Sequence, residues 1–211
     1  MKFGGFQPLT LSDFPGRTAA VLFVQGCNFR CPFCHNGRLL ERDAEDVFDE
    51  QTAVALLAER RKILDGIVLS GGEPTLQADL PDFIRELRRM GFQVKLDTNG
   101  SQSRMLESVL EEGLLDYAAM DIKAPPCKYP LLTGGVYPRE EIERSIELIV
   151  HSGIAAEFRT TFVPGLLTSE DLEQIRRSLP AGAVYKIQKF AAESALEASL
   201  RKPSELIEET L

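Results

Sequence analysis

The chain has 211 residues, with 24 Lys and Arg against 32 Asp and Glu, a formal charge of −8. This length suits one domain, two at most, and the acidic balance argues against nucleic acid as the main partner. The longest early apolar run, Ala19–Val24, is far short of the ~20 residues a membrane span needs, and no secretory h-region precedes it, so the sequence predicts a cytoplasmic protein without membrane contact.

Short apolar or β-branched runs recur along the chain at 18–24, 66–70, 92–97, 116–123, 156–163 and 183–190. Amphipathic stretches separate them. One starts at Thr52, and one follows Asp79, a candidate N-cap. A third ends at Gly113, and a fourth has Pro138 near its first turn and ends at Gly153. A fifth has Ser169 as its cap. Glycine after the last periodic residue and Ser or Asp before the first are helix stop and start signals. Strands alternating with helices imply βαβ units and a parallel sheet, with strands apolar on both faces. About six units fit, and a closed eight-unit barrel needs ~250 residues. The expected fold is therefore α/β, an incomplete (β/α)6 TIM-type barrel with outer helices; an open doubly wound sheet is the alternative. The expected organisation is one domain over 1–211, with an N-terminal segment 1–17, a partial barrel core 18–190 and a C-terminal tail or helix 191–211.

The unusual residues fall at the C-terminal ends of these runs. QGCNFRCPFCHN follows the first, GGEP (71–74) the second and DTNG (97–100) ends the third. The fourth carries Asp121 and Lys123, and the fifth carries Arg159. In a parallel α/β architecture these ends share one face, where active sites are built. Cys27, Cys31 and Cys34 lie within eight residues at spacing C-x3-C-x2-C. In a reducing compartment such a group is metal-binding or catalytic rather than a disulfide framework. Zinc with His35 or Cys127 as fourth ligand is the plain reading. It lacks a second ligand pair, and His35 directly follows Cys34. A [4Fe–4S] cluster is the sharper reading, since three thiolates leave one iron open.

The cysteine spacing, with Phe33 before the third Cys, resembles the signature of radical S-adenosylmethionine enzymes, and GCNFRCPFCHN resembles their glycyl-radical-enzyme activating group. The segment from Gly4 to Asn36 is similar to activating proteins of the anaerobic ribonucleoside-triphosphate reductase, and the likeness extends to about residue 190. The resemblance implies a [4Fe–4S] cluster on Cys27, Cys31 and Cys34 whose open iron is chelated by S-adenosylmethionine. Electrons from flavodoxin or ferredoxin would cleave it to a 5′-deoxyadenosyl radical that abstracts hydrogen from a partner's glycine. It implies cofactor contacts from Phe33, His35, Asn36, Gly71, Gly72, Glu73, Asp97, Asp121, Lys123 and Arg159. Gly71 and Gly72 would allow close backbone approach, Glu73 would accept from the cofactor ammonium, and Lys123 would meet its carboxylate. In related formate-lyase activases, positions matching Asp97, Thr98 and Asp121 form a monovalent-cation site. Two facing carboxylates repel unless a cation or proton lies between them, so an ion or Lys123 is expected there. Those activases also carry a last-strand His that is absent here; Gln188 or Lys189 are the candidates to replace it.

Cys127 reads as a bystander thiol and His151 as a structural residue near a helix C-terminus. The segment LSDFPGRT helps shape the substrate face or is a plain turn. Two rival functions remain: a small-molecule radical enzyme of the carboxy-deazaguanine synthase type, and a non-catalytic zinc module.

Overall fold

The computed structural model describes residues 1–41, 44 and 47–201. Its strands are β1 (Lys2–Thr10), β2 (Ala19–Val24), β3 (Phe48–Asp49), β4 (Gly66–Gly71), β5 (Gln93–Thr98), β6 (Tyr117–Asp121), β7 (Ala155–Phe162) and β8 (Tyr185–Lys189). Its helices are α1 (Glu50–Ala58), α2 (Leu80–Arg89), α3 (Ser103–Glu111), α4 (Tyr129–Thr133), α5 (Arg139–His151) and α6 (Ser169–Ser178).

One sheet holds all eight strands in the order β3-β1-β2-β4-β5-β6-β7-β8. The six strands β2 and β4 to β8 are parallel neighbours in chain order, each within two residues of a predicted run. A doubly wound sheet would reverse direction from a middle strand, so the partial barrel is the correct alternative. Among the described residues β8 pairs only with β7, and the sheet does not close.

The side missing from the sequence reading is the N-terminal one. Lys2–Thr10 is a strand, antiparallel to both β2 and β3. Gly4, Gly5 and Pro8 mask it, being poor strand formers. The glycines have a packing reason: a Cβ on Gly4 would stand 2.1 Å from the Gln25 Oε1, and one on Gly5 3.2 Å from Phe23.

The expectation of strands apolar on both faces needs correcting. The outer face is apolar: Leu22, Leu69, Leu96, Met120 and Phe158 join the main core with helix residues such as Phe83, Leu106 and Ile149. The inner face is mixed. Its lower part holds Phe14, Val21 and Val68, but Lys95, Asp97, Tyr117, Glu157 and Arg159 also meet one another there. These acids and bases alternate with apolar residues at period two and are buried only because they pair.

Helix ends follow local chemistry. α1 starts at Glu50, earlier than Thr52, because Asp49 accepts from the Thr52 amide at 2.9 Å. α6 is capped by Thr168 rather than Ser169, in a reciprocal capping box with Asp171. Asp79 occupies the N-cap position of α2 without a side-chain cap bond. Gly113 and Gly153 take φ of 63° and 77° past the ends of α3 and α5, as stop signals do. The C-terminal part of the tail, 202–211, lies outside the described residues.

Candidate active site

The C-terminal ends of the parallel strands surround a cavity of about 340 Å³. Every residue proposed from sequence for the cofactor lines it: the three cysteines, Phe33, His35, Asn36, Gly71, Gly72, Glu73, Asp97, Thr98, Asp121, Lys123 and Arg159. Gln188 also lines it, whereas Lys189, the next residue on β8, does not. Strand alternation decides between them, because Gln188 stands opposite Thr161, another lining residue.

The cysteine loop leaves β2 and is zipped to the end of β4. The Gly72 amide donates to Val24 O at 2.9 Å and the Glu73 amide to Gly26 O at 2.8 Å. This explains the paired glycines differently from close approach to a cofactor. A Cβ on Gly72 would lie 2.1 Å from Gly26 O, and one on Gly71, at φ 112°, 2.4 Å from Val24 N. Both contacts are backbone and cannot yield.

Further along, the Arg30 amide donates to Thr133 O of α4 at 3.0 Å. On the other side the segment after β8 braces the loop. The His35 ring stacks on Phe190 and its Nε2 accepts from the Ala191 amide at 3.2 Å. The Glu197 amide donates to Pro32 O at 2.9 Å. The tail adds nothing to the sequence resemblance, yet it holds the cysteine loop. His35 is thus engaged through its ring, and burial lowers its pKa.

All three cysteines are free thiols. Burial pushes Cys27 up to about 12 and Cys31 up to about 11. Two donors already reach the Cys27 sulfur, the Phe29 amide at 3.4 Å and Asn99 Nδ2 at 4.0 Å. Asn99 is in turn tied to Asn28 at 3.0 Å, and Asn28 to Ser101 at 2.8 Å. Among the described residues no three His, Cys, Asp or Glu side chains close around a single ion. Cys127 is exposed, in a 3-10 turn (Pro126–Lys128), and does not line the cavity. Three thiols on one cavity wall that, among the described residues, close around no single ion fit a group wider than one zinc ion. Donors aimed at a sulfur suit a thiolate.

Glu73 is fully buried and accepts four hydrogen bonds. Oε1 takes the Thr75 amide (3.1 Å), Thr75 Oγ1 (2.5 Å) and Thr98 Oγ1 (2.7 Å), and Oε2 takes the Asn99 amide (2.6 Å). Burial raises its pKa against these bonds. Thr98 therefore turns its hydroxyl to Glu73. Asp97 and Asp121 are joined instead by Arg159, whose Nε donates to Asp121 at 2.9 Å and whose NH1 reaches Asp97 at 3.3 Å. Lys123 adds a bond to Asp121 at 3.0 Å and lies 5.9 Å from the Phe33 ring centroid. Residues missed by the sequence reading are Asn99, whose DTNG motif was visible, and Ser70 and Lys95, which carried no signal.

Burial alone would raise Asp121, but Arg159 and then Lys123 outweigh it and hold its carboxyl well below the usual range. A carboxyl depressed on folding contributes stability that is fully present above its unfolded pKa, near 3.8, and is lost as pH falls below it. Urea midpoints of the wild type and Asp121→Asn should therefore differ by a constant amount above the unfolded pKa, with the difference shrinking progressively as pH falls from about 3.8 toward the much lower folded pKa.

A parallel, unclosed barrel with three thiols on one loop at its strand ends defines an enzyme site built to hold a thiolate-bound group. The chain matches the Radical SAM superfamily over residues 21–179 and belongs to that family. A Methanocaldococcus jannaschii protein provisionally assigned as a glycyl-radical enzyme activating enzyme is 34% identical over 208 residues, 94% of this chain and 83% of its own length. The pyruvate formate-lyase-activating enzyme of Streptococcus mutans is 31% identical over 197 residues, 84% of this chain and 71% of its own. A solved structure of TYW1 with a lysine-pyruvate adduct shares the fold at TM-score 0.61 and 17% identity, over 85% of this chain and 68% of that one. The family implies a [4Fe–4S] cluster and S-adenosylmethionine. No helix among the described residues is long and apolar enough to cross a membrane.

Proposed function

We propose that residues 1–211 form one radical S-adenosylmethionine domain that installs a glycyl radical on a partner enzyme. The observation that carries this reading is the convergence of the three thiols, the Gly71–Gly72–Glu73 turn and Lys123 on one cavity beneath an unclosed sheet. The likeness to a protein provisionally assigned as a glycyl-radical enzyme activating enzyme and to a pyruvate formate-lyase-activating enzyme supports it. Cys27, Cys31 and Cys34 would hold the cluster as thiolates. When bound, the cluster and S-adenosylmethionine supply one-electron cleavage of the sulfonium and the hydrogen-abstracting radical.

The chain's own part is to hold and orient. Glu73 would accept from the cofactor's ammonium, and Lys123 would neutralise its carboxylate. Phe33 would flank the adenine, with His35 and Asn36 ordering the loop beside it. The Gly71–Gly72 turn presents backbone to the cofactor while its bare Cα positions pack on Val24 and Gly26. The cavity volume of about 340 Å³ is near the lower limit for a ligand pocket. The unclosed sheet leaves a side through which a substrate carried on a protein loop could enter.

The partner we favour is the anaerobic ribonucleotide reductase, on the likeness of residues 4–36, with flavodoxin or ferredoxin as electron donor. The test mixes anaerobically reconstituted protein, S-adenosylmethionine and reduced flavodoxin with the reductase or with pyruvate formate-lyase. A glycyl-radical doublet by electron paramagnetic resonance on the reductase alone is the expected result. A doublet on the lyase alone moves the partner. Cofactor cleavage with no protein radical on either sinks the activase reading.

A further inference from the structure

Asp97 at the end of β5 and Asp121 at the end of β6 both line the cavity, and the structure shows what lies between them. In the sheet register Asp121 stands opposite Arg159 of β7, and Asp97 opposite Ala119 of β6. The methyl side chain of Ala119 leaves a gap over β6. The guanidinium crosses that gap, so that one side chain bonds Asp121 at 2.9 Å and Asp97 at 3.3 Å. Asp121 Oδ2 is engaged too, whereas Asp97 Oδ1 is buried and receives no hydrogen bond. Lys123 takes Asp121 Oδ2 at 3.0 Å, and Ser70 Oγ donates to Asp97 Oδ2 at 3.1 Å. Lys95 Nζ stands 2.8 Å from Asp97 Oδ1, close enough for an ion pair though off the direction a hydrogen bond needs. Lys95 also donates to the Asp13 backbone carbonyl at 2.6 Å, anchoring the Asp13 loop.

Three fixed cations thus face two carboxylates. A free metal cation entering here would meet like charges and would have to displace a guanidinium that never deprotonates. We propose that Arg159 is the built-in cation of this site, holding Asp97 and Asp121 in place of a monovalent metal ion. It is a positioning residue: it staples β5, β6 and β7 at the cavity mouth, and through Asp121 it orients Lys123. The inference rests on the cavity being the cofactor site and is independent of which partner is activated.

Salt identity at constant ionic strength is the test, comparing potassium, sodium and choline chlorides. Two readouts are used: S-adenosylmethionine affinity of the cluster-loaded enzyme, and the thermal midpoint of cluster-free protein, which does not depend on the cofactor reading. The wild type should change less than twofold in affinity, with one midpoint in all three salts. Arg159→Ala should bind at least tenfold more weakly in choline and recover at least fivefold in potassium or sodium. Its midpoint should rise with the same ions. Arg159→Lys, which keeps a charge at the position, should stay indifferent to the salt. A purely structural arginine would not be rescued by a particular ion, so an Arg159→Ala protein blind to salt identity overturns the proposal. A wild type that gains tenfold affinity in potassium or sodium over choline overturns it as well, even if Arg159→Ala does not fold. If no variant binds S-adenosylmethionine while the cluster-free midpoints behave as expected, the cofactor assignment fails and the cation assignment stands.

Discussion

Cys31→Ala protein, reconstituted anaerobically with iron and sulfide, is expected to lack the brown colour and ~400 nm absorbance of a four-iron cluster. It should lose S-adenosylmethionine cleavage by about 10³-fold or more, about 4 kcal/mol of barrier. On the proposed assignment these three cysteines are the whole protein ligand set, so none would be spare. Cys31 is small and buried, and its loss as a packing group costs about 1–2 kcal/mol, leaving the domain folded. Iron content and circular dichroism measured on one sample separate these effects. A full cluster in the Cys31→Ala protein would refute the ligand assignment. A colourless wild type carrying one zinc per chain would revive the zinc module.

Glu73→Ala should be strongly damaging although it touches no sulfur. It strips the acceptor from the Thr75 and Asn99 amides and from two threonine hydroxyls, all at buried positions. Each buried donor left unsatisfied costs about 1–3 kcal/mol, offset in part by no longer burying a carboxyl whose ionisation is already disfavoured. The net expectation is about 3 kcal/mol, or a thermal midpoint lower by about 10 °C. Glu73→Gln keeps one oxygen for Thr75 and Thr98 but turns an amide group toward the Asn99 amide, so it should recover only part of the loss. Calorimetry on cluster-free protein checks both. A midpoint unchanged in Glu73→Ala would mean that the four hydrogen bonds contribute nothing net. The residue then has only its cofactor role, read from S-adenosylmethionine affinity.

Much of the molecule is legible in the chain. The six parallel strands lie where short β-branched runs alternate with amphipathic stretches, because period two and period 3.6 are local consequences of backbone geometry. The site residues are legible for a related reason. Once strands are parallel, their C-terminal ends share a face, so motifs as distant as Cys27 and Arg159 meet without further information. Capping was less legible. Thr168 and Ser169 are both good caps, and only the reciprocal bond to Asp171 selects the first.

Roles that depend on which neighbour arrives from elsewhere in the chain were not legible. β1 is a strand only because β2 and β3 pair with it; its own glycines argue otherwise. Gly71 and Gly72 are required by the backbones of Val24 and Gly26, more than forty residues earlier in sequence. The residues after β8 carry no motif, yet they brace His35 and Pro32. Length, periodicity and cysteine spacing by themselves determined a parallel α/β sheet, the three-thiol loop and the face on which it lies, while the strand order of the structure chose the partial barrel over a doubly wound sheet. Tertiary structure alone decided that Thr98 serves Glu73, that Lys95 faces inward and that Arg159 stands between two aspartates. Those choices depend on strand register and on the small side chain of Ala119, quantities set across strands rather than along them.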